Sequence, residues 1–88
     1  MPTENKKCSS KTLDTIDKII DILSGREKIT VENLNVISNN IKEIGLKPHK
    51  IDDAKKFLKK NDKILVVGML LETLEEMVKA VKTCFTEE

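Results

Sequence analysis

KILVVGMLLETLEEMVKAVKTCF, residues 63–85, is the stretch on which the fold of this 88-residue chain turns. Its apolar residues Ile64, Val67, Leu71, Leu74, Val78, Val81 and Phe85 are separated by alternating steps of three and four, the period of one helix face. Leu70, Met77 and Cys84 form a second row one position before that seam and widen the stripe. The opening KILVVG (63–68) also fits a short β-branched strand ending in glycine. The chain offers such a strand no partner, and the three/four spacing runs through it, so a single long helix is expected. Gly68 inside that helix costs about 1 kcal/mol relative to alanine. Asp62 is placed to cap its start, and Glu75 with Lys79 forms an i,i+4 pair.

Working back from this helix, three shorter runs repeat the pattern. Ile51, Ala54 and Leu58, with Phe57 beside them, follow Pro48; Asp52 and Asp53 sit near the positive end of that helix, while Lys55, Lys56, Lys59 and Lys60 crowd the negative end. Leu34, Ile37, Ile41 and Ile44 follow Thr30, an N-cap, with Ile29 and Leu34 at the two positions of a hydrophobic staple. Gly45 then supplies a left-handed stop, and Leu46 folds back on Ile41. Leu13, Ile16, Ile20 and Leu23 follow a capping Ser10 and stop at Gly25. Short connections favour antiparallel neighbours. The expectation is an all-α, small four-helix bundle with helices at about 11–24, 30–44, 49–60 and 63–85, the C-terminal one long. Residues 1–9 read as a flexible N-terminal arm and 10–88 as one helical domain.

Composition narrows the function classes. Only two aromatics, Phe57 and Phe85, are present, a poor supply for stacking on bases or sugars. The net charge of +1 selects no partner class. All but one of the sixteen basic residues are lysines, the exception being Arg26, and lysine lacks the planar fork that reads guanine or phosphate bidentately. The two cysteines, Cys8 and Cys84, are too few for a disulfide scaffold, so both are expected as free thiols in the cytoplasm. No leader and no membrane span are visible, and no membrane partner is expected.

The candidate chemistry is thin. His49 is the only histidine and has no cysteine near it in sequence, so neither a metal site nor an acid–base pair is expected. Asp52-Asp53 and Glu75-Glu76 are sequence neighbours that do not face one another on a helix. No glycine-rich phosphate loop occurs. The reading is therefore non-enzymatic, with no catalytic residue, cofactor or metal.

Two surfaces remain. At the start of the last helix, residues 64–67 and 69–71 are all apolar, and a helix apolar all round must be enclosed. Leu65, Val66 and Met69 lie off the main seam, as does Ile22 in the first helix, and these four are the expected contact with another protein chain. The chain then acts as an interaction module or accessory subunit, oligomeric through its C-terminal helix. The alternative uses lysines. Residues 42–63 hold eight lysines against four acids, and Lys55, Lys56, Lys59, Lys60 and Lys63 could hold the phosphates of a nucleic acid in a helix-turn-helix-like arrangement. A third role is a small regulator or inhibitor of a larger enzyme.

The stretch Lys28–Lys60, with Ile-Thr before a Glu-Asn-Leu helix, a stop at Gly45 and an Asp-Asp-Ala helix after it, resembles the helical N-terminal domain of the acidic ribosomal stalk proteins. These shared features are general helix caps, and the alanine-rich hinge and acidic tail of that family are missing. No function is carried over from it.

Overall fold

A computed structural model describes residues 9–86, with side chains through Thr83. Four helices follow one another: α1 (Ser10–Leu23), α2 (Val31–Glu43), α3 (His49–Lys59) and α4 (Lys63–Thr86). The KILVVG segment is the first turn and a half of α4, and no strand occurs among the described residues.

The three connections end their preceding helices in the same way. Gly25 and Gly45 each take φ +86° and Asn61 takes φ 60°. The next residue then reaches back to a carbonyl five positions earlier: Arg26 N–H to Asp21 at 2.9 Å, Leu46 N–H to Ile41 at 3.0 Å and Asp62 N–H to Phe57 at 2.9 Å. Each is a Schellman closure, which uses carbonyls that a helix end leaves without partners. Helix starts are capped less uniformly. Thr30 accepts from Asn33 N–H at 3.1 Å, and Asp62 Oδ1 accepts from Leu65 N–H at 3.3 Å. The first helix departs from expectation: its N-cap is Ser9 rather than Ser10, and the Ser9 side chain makes no capping hydrogen bond.

Neighbouring helices pack as a ring in which α1 meets α2 and α4, and α3 meets α2 and α4. The α1–α2 turn lies beside Lys63 at the start of α4, and the α2–α3 turn lies beside Glu76–Ala80. The bundle therefore runs up-down-up-down, with α4 antiparallel to both its neighbours.

The core contains Ile19 and Ile22 of α1, Leu34, Ile37 and Ile41 of α2, Ile44 after it, Ile51 and Ala54 of α3, and Val66, Leu70 and Met77 of α4. Thr12, Thr15, Ser38 and Thr73 are buried with them. The inward stripes are thus Thr12–Thr15–Ile19–Ile22 and Val66–Leu70–Thr73–Met77, each one position before the seams read from apolar spacing. Threonine makes this possible. Thr15 Oγ1 donates to the Lys11 carbonyl at 2.7 Å and Thr73 Oγ1 to the Met69 carbonyl at 2.8 Å, so each hydroxyl is satisfied within its own helix and the γ-methyl is left to pack.

Opposite outcomes are expected at two glycines. Gly45→Ala forces a side chain into the left-handed region and should lower stability by about 1–2 kcal/mol. Gly68 has no positive φ, and a Cβ there meets nothing within 4 Å, so Gly68→Ala should stabilise the monomeric chain by about 0.5–1 kcal/mol. Urea unfolding of both variants, read by circular dichroism, checks the pair.

Candidate interaction face on α1 and α4

The position after each buried residue of α1 is again apolar: Leu13, Ile16, Ile20 and Leu23. The same holds for α4, with Val67, Leu71, Leu74 and Val78. One residue rotates a side chain by about 100°, so both helices carry a second apolar stripe beside the one they bury. Ion pairs fix the side on which those stripes lie. Lys11 and Lys18, one position before Thr12 and Ile19, reach Glu43 of α2 at 3.2 Å and Glu27 of the α1–α2 turn at 2.8 Å. Glu72 and Glu76, one position before Thr73 and Met77, face Lys50 of α3 at 3.9 and 3.1 Å. The preceding flank of α1 thus belongs to α2, and that of α4 to α3. The following flanks of both helices open on the one groove left, that between α1 and α4.

Five of the eight large hydrophobic residues exposed among the described residues lie on these two flanks. Ile64 is 84% exposed, Leu13 53% and Leu71 52%, with Ile20 and Val78 exposed to a lesser degree. Ile16, Leu23 and Leu74 form its half-buried floor against the core. Val31 and Val36 are exposed singly on α2 and need no such explanation.

The four residues expected to form a contact surface do not come together. Ile22 and Val66 are core residues, 4% and 0% exposed, and cannot meet a partner on the folded chain. Met69 is half-buried against the core, and only Leu65 is open, on the α3 side of α4. The open face is instead the seam that apolar spacing had assigned to the interior. The signal that could have reversed the two is the Thr-x-x-Thr spacing of Thr12 and Thr15, in register with Ile19 and Ile22.

Of the lysines singled out, Lys55, Lys56 and Lys59 lie on α3, Lys60 follows it and Lys63 opens α4. Lys56, Lys59, Lys60 and Lys63 are exposed with no ion pair among the described residues, whereas Lys55 pairs with Asp52 at 3.5 Å. At the opposite end, the Glu76 carboxylate accepts a hydrogen bond from Lys50 and holds its ammonium above the ordinary lysine value of 10.5, with Glu72 and Glu75 adding to the effect. A group raised in this way contributes its stability fully below 10.5 and loses it only as pH rises through the higher folded value.

Shallow clefts lie among the described residues. One of about 500 Å³ sits at the α1–α2 turn between Ile22, Lys28, Ile29 and Lys63. Another of about 390 Å³ lies between Leu46, His49 and Ala80. A narrower one, about 160 Å³, lies at the Lys50–Glu72–Glu76 cluster. His49 is exposed, its Nδ1 3.2 Å from the Lys47 carbonyl. No group of three or more His, Cys, Asp or Glu side chains among the described residues could hold a metal ion. No described helix is long and apolar enough to cross a membrane. Cys8 and the side chain of Cys84, expected as free thiols, and residues 1–8 of the expected arm lie outside the described residues.

No protein family, curated protein or solved structure matches this chain.

Adjacent leucines on α4 separate core from face. Leu70→Glu places a charge in the core, which costs several kcal/mol, and should leave the chain unfolded. Leu71→Glu, one residue on, should change the stability of the monomer by no more than about 0.5 kcal/mol. Thermal unfolding at low protein concentration distinguishes them.

Proposed function

We propose that this protein is a non-enzymatic interaction module, an accessory subunit whose work is to hold another protein chain against the α1–α4 face. One observation carries the reading. Leu13, Ile20, Ile64, Leu71 and Val78 are all exposed, and helical spacing puts them on the adjoining flanks of α1 and α4 in a very small protein. Contiguous apolar surface of this kind marks an interface, because a monomer gains nothing from holding it in water. The partner that fits is helical, since an exposed stripe with three/four spacing accepts the ridges of another helix. A cytoplasmic setting belongs to the same proposal.

A second reading has its own support. Lys56, Lys59, Lys60 and Lys63 form a run of exposed cations with no ion pair among the described residues, toward one end of the bundle. Such a surface suits a nucleic-acid backbone, and contact through lysines alone is weak, sequence-tolerant and steeply salt-dependent. The role of enzyme regulator is one form of the first reading, with the partner an enzyme.

The readings separate by photocrosslinking in the native host. A photoreactive amino acid at position 71 should yield a discrete protein adduct, and one at position 53, on the outer side of α3, should not. Adducts to nucleic acid from position 59, with none to protein from position 71, would exchange the two.

A further inference from the structure

Resting on the reading of the α1–α4 face as an interface, we infer that its occupant is a second copy of this chain. The two copies would close a second, intermolecular four-helix bundle from α1 and α4 of each.

The spacing of the open stripes is the first reason. Leu13, Ile16, Ile20 and Leu23 follow steps of three, four and three; Ile64, Val67, Leu71, Leu74 and Val78 continue the same alternation on an antiparallel neighbour. This is the a/d seam of a coiled coil, written twice. Two adjacent antiparallel helices with such seams on one side are half of a four-helix bundle. The missing half must present the same pair of seams, and this chain does. With α1 about 21 Å long and neighbouring axes about 10 Å apart, the shared footprint is about 400 Å², before side-chain relief and the longer α4 are counted. Counted on both copies that is about 800 Å², the size of a weak, reversible contact rather than of an obligate one.

The residues bordering the seams choose the arrangement. In the heptad they fall at Ser10, Asp17 and Ser24 on α1, and at Gly68, Glu75 and Lys82 on α4. Setting α1 against the partner's α1, antiparallel, would bring Asp17 opposite its own copy at the helix midpoint. Setting α1 against the partner's α4 avoids that and keeps every neighbour antiparallel. Lys63 lies beside Ile22 and Gly25, which fixes the axial register of the two helices. In that register Ile20 of one copy comes level with Gly68 of the other.

Gly68 is the second reason. It weakens the middle of a long helix, and nothing within the chain requires it: a Cβ there would meet no atom within 4 Å. A glycine at such a place is explained when another backbone or a large side chain comes close from outside. The exposed Ile20 of a second copy fits that hollow as a knob fits a hole.

Sedimentation of the full chain from micromolar to millimolar concentration tests this, with wild type, Gly68→Gln and Leu71→Glu side by side. Wild type should dimerise reversibly. Both variants should remain monomers across the range, and each should retain the helical circular dichroism spectrum. Gly68→Gln should unfold no more easily than dilute wild type, which shows that its effect lies between chains. A wild-type dimer untouched by either substitution overturns the inference. So does a wild type that stays monomeric throughout; if the position-71 crosslinker then still captures a different protein, the interaction reading stands and only the identity of the occupant falls. If it captures nothing, both fall.

Discussion

A helix can turn only one side to a bundle core, and two of the four helices here have two sides fit for it. That constraint governs the rest of the molecule. On α1 the choice lies between Thr12–Thr15–Ile19–Ile22 and Leu13–Ile16–Ile20–Leu23; on α4, between Val66–Leu70–Thr73–Met77 and Val67–Leu71–Leu74–Val78. In both, the fold buries the stripe that contains threonine and leaves the richer apolar stripe at the edge. By simple transfer free energy this is the weaker choice, since an exposed leucine forgoes about 1.5–3 kcal/mol of burial. It becomes reasonable when both sides are buried in the working assembly, one within the chain and one between chains.

Threonine suits the inner position for physical reasons. Its hydroxyl can bond to the carbonyl one turn back, so burial leaves no polar group unmatched, and its volume lets helices approach closely. Thr15 and Thr73 both do this, from facing helices. The ion pairs reinforce the choice. Lys11 and Lys18 reach toward α2, and Glu72 and Glu76 toward α3, only when the threonine stripes point inward. These pairs are partly exposed and each contributes little to stability. Their value lies in selecting a rotation: turning either helix by one residue would break them. The flank toward the α1–α4 groove carries Leu13, Ile20, Leu71 and Val78 instead.

Much of the architecture was legible in the chain because punctuation is local. Gly25, Gly45 and Asn61 end helices wherever they occur in such contexts, and Thr30 and Asp62 begin them; none of this depends on what packs where. The rotation of α2 and α3 was legible too, since Leu34, Ile37, Ile41, Ile44, Ile51 and Ala54 are buried as their spacing indicates; that of α1 and α4 was not. Apolar spacing ranks Leu13 and Ile20 above Thr12 and Thr15, and ranks Ile64 and Leu71 above Val66 and Thr73, because it has no means of knowing that a hydroxyl will be satisfied internally. The expected interface residues inherited that error. Val66 and Ile22 were assigned to the surface because their neighbours were assigned to the core. The exposed apolar residues of α4 other than Leu65 are Ile64, Leu71 and Val78, on the stripe one position after the buried one. Ser9 displaced Ser10 as N-cap, its carbonyl accepting from Thr12 N–H at 3.1 Å.

The claim that matters most is that α1 and α4 each divide their apolar residues between a core and a contact face. Methyl resonances of isoleucine, leucine and valine, followed as protein concentration rises, report on both faces at once. The account predicts that Leu13, Ile20, Ile64, Leu71 and Val78 shift together along one binding curve, while Leu34, Ile37, Ile51, Val66 and Leu70 stay in place. Movement of the core set with the face unchanged, or a spectrum that does not depend on concentration, would contradict it.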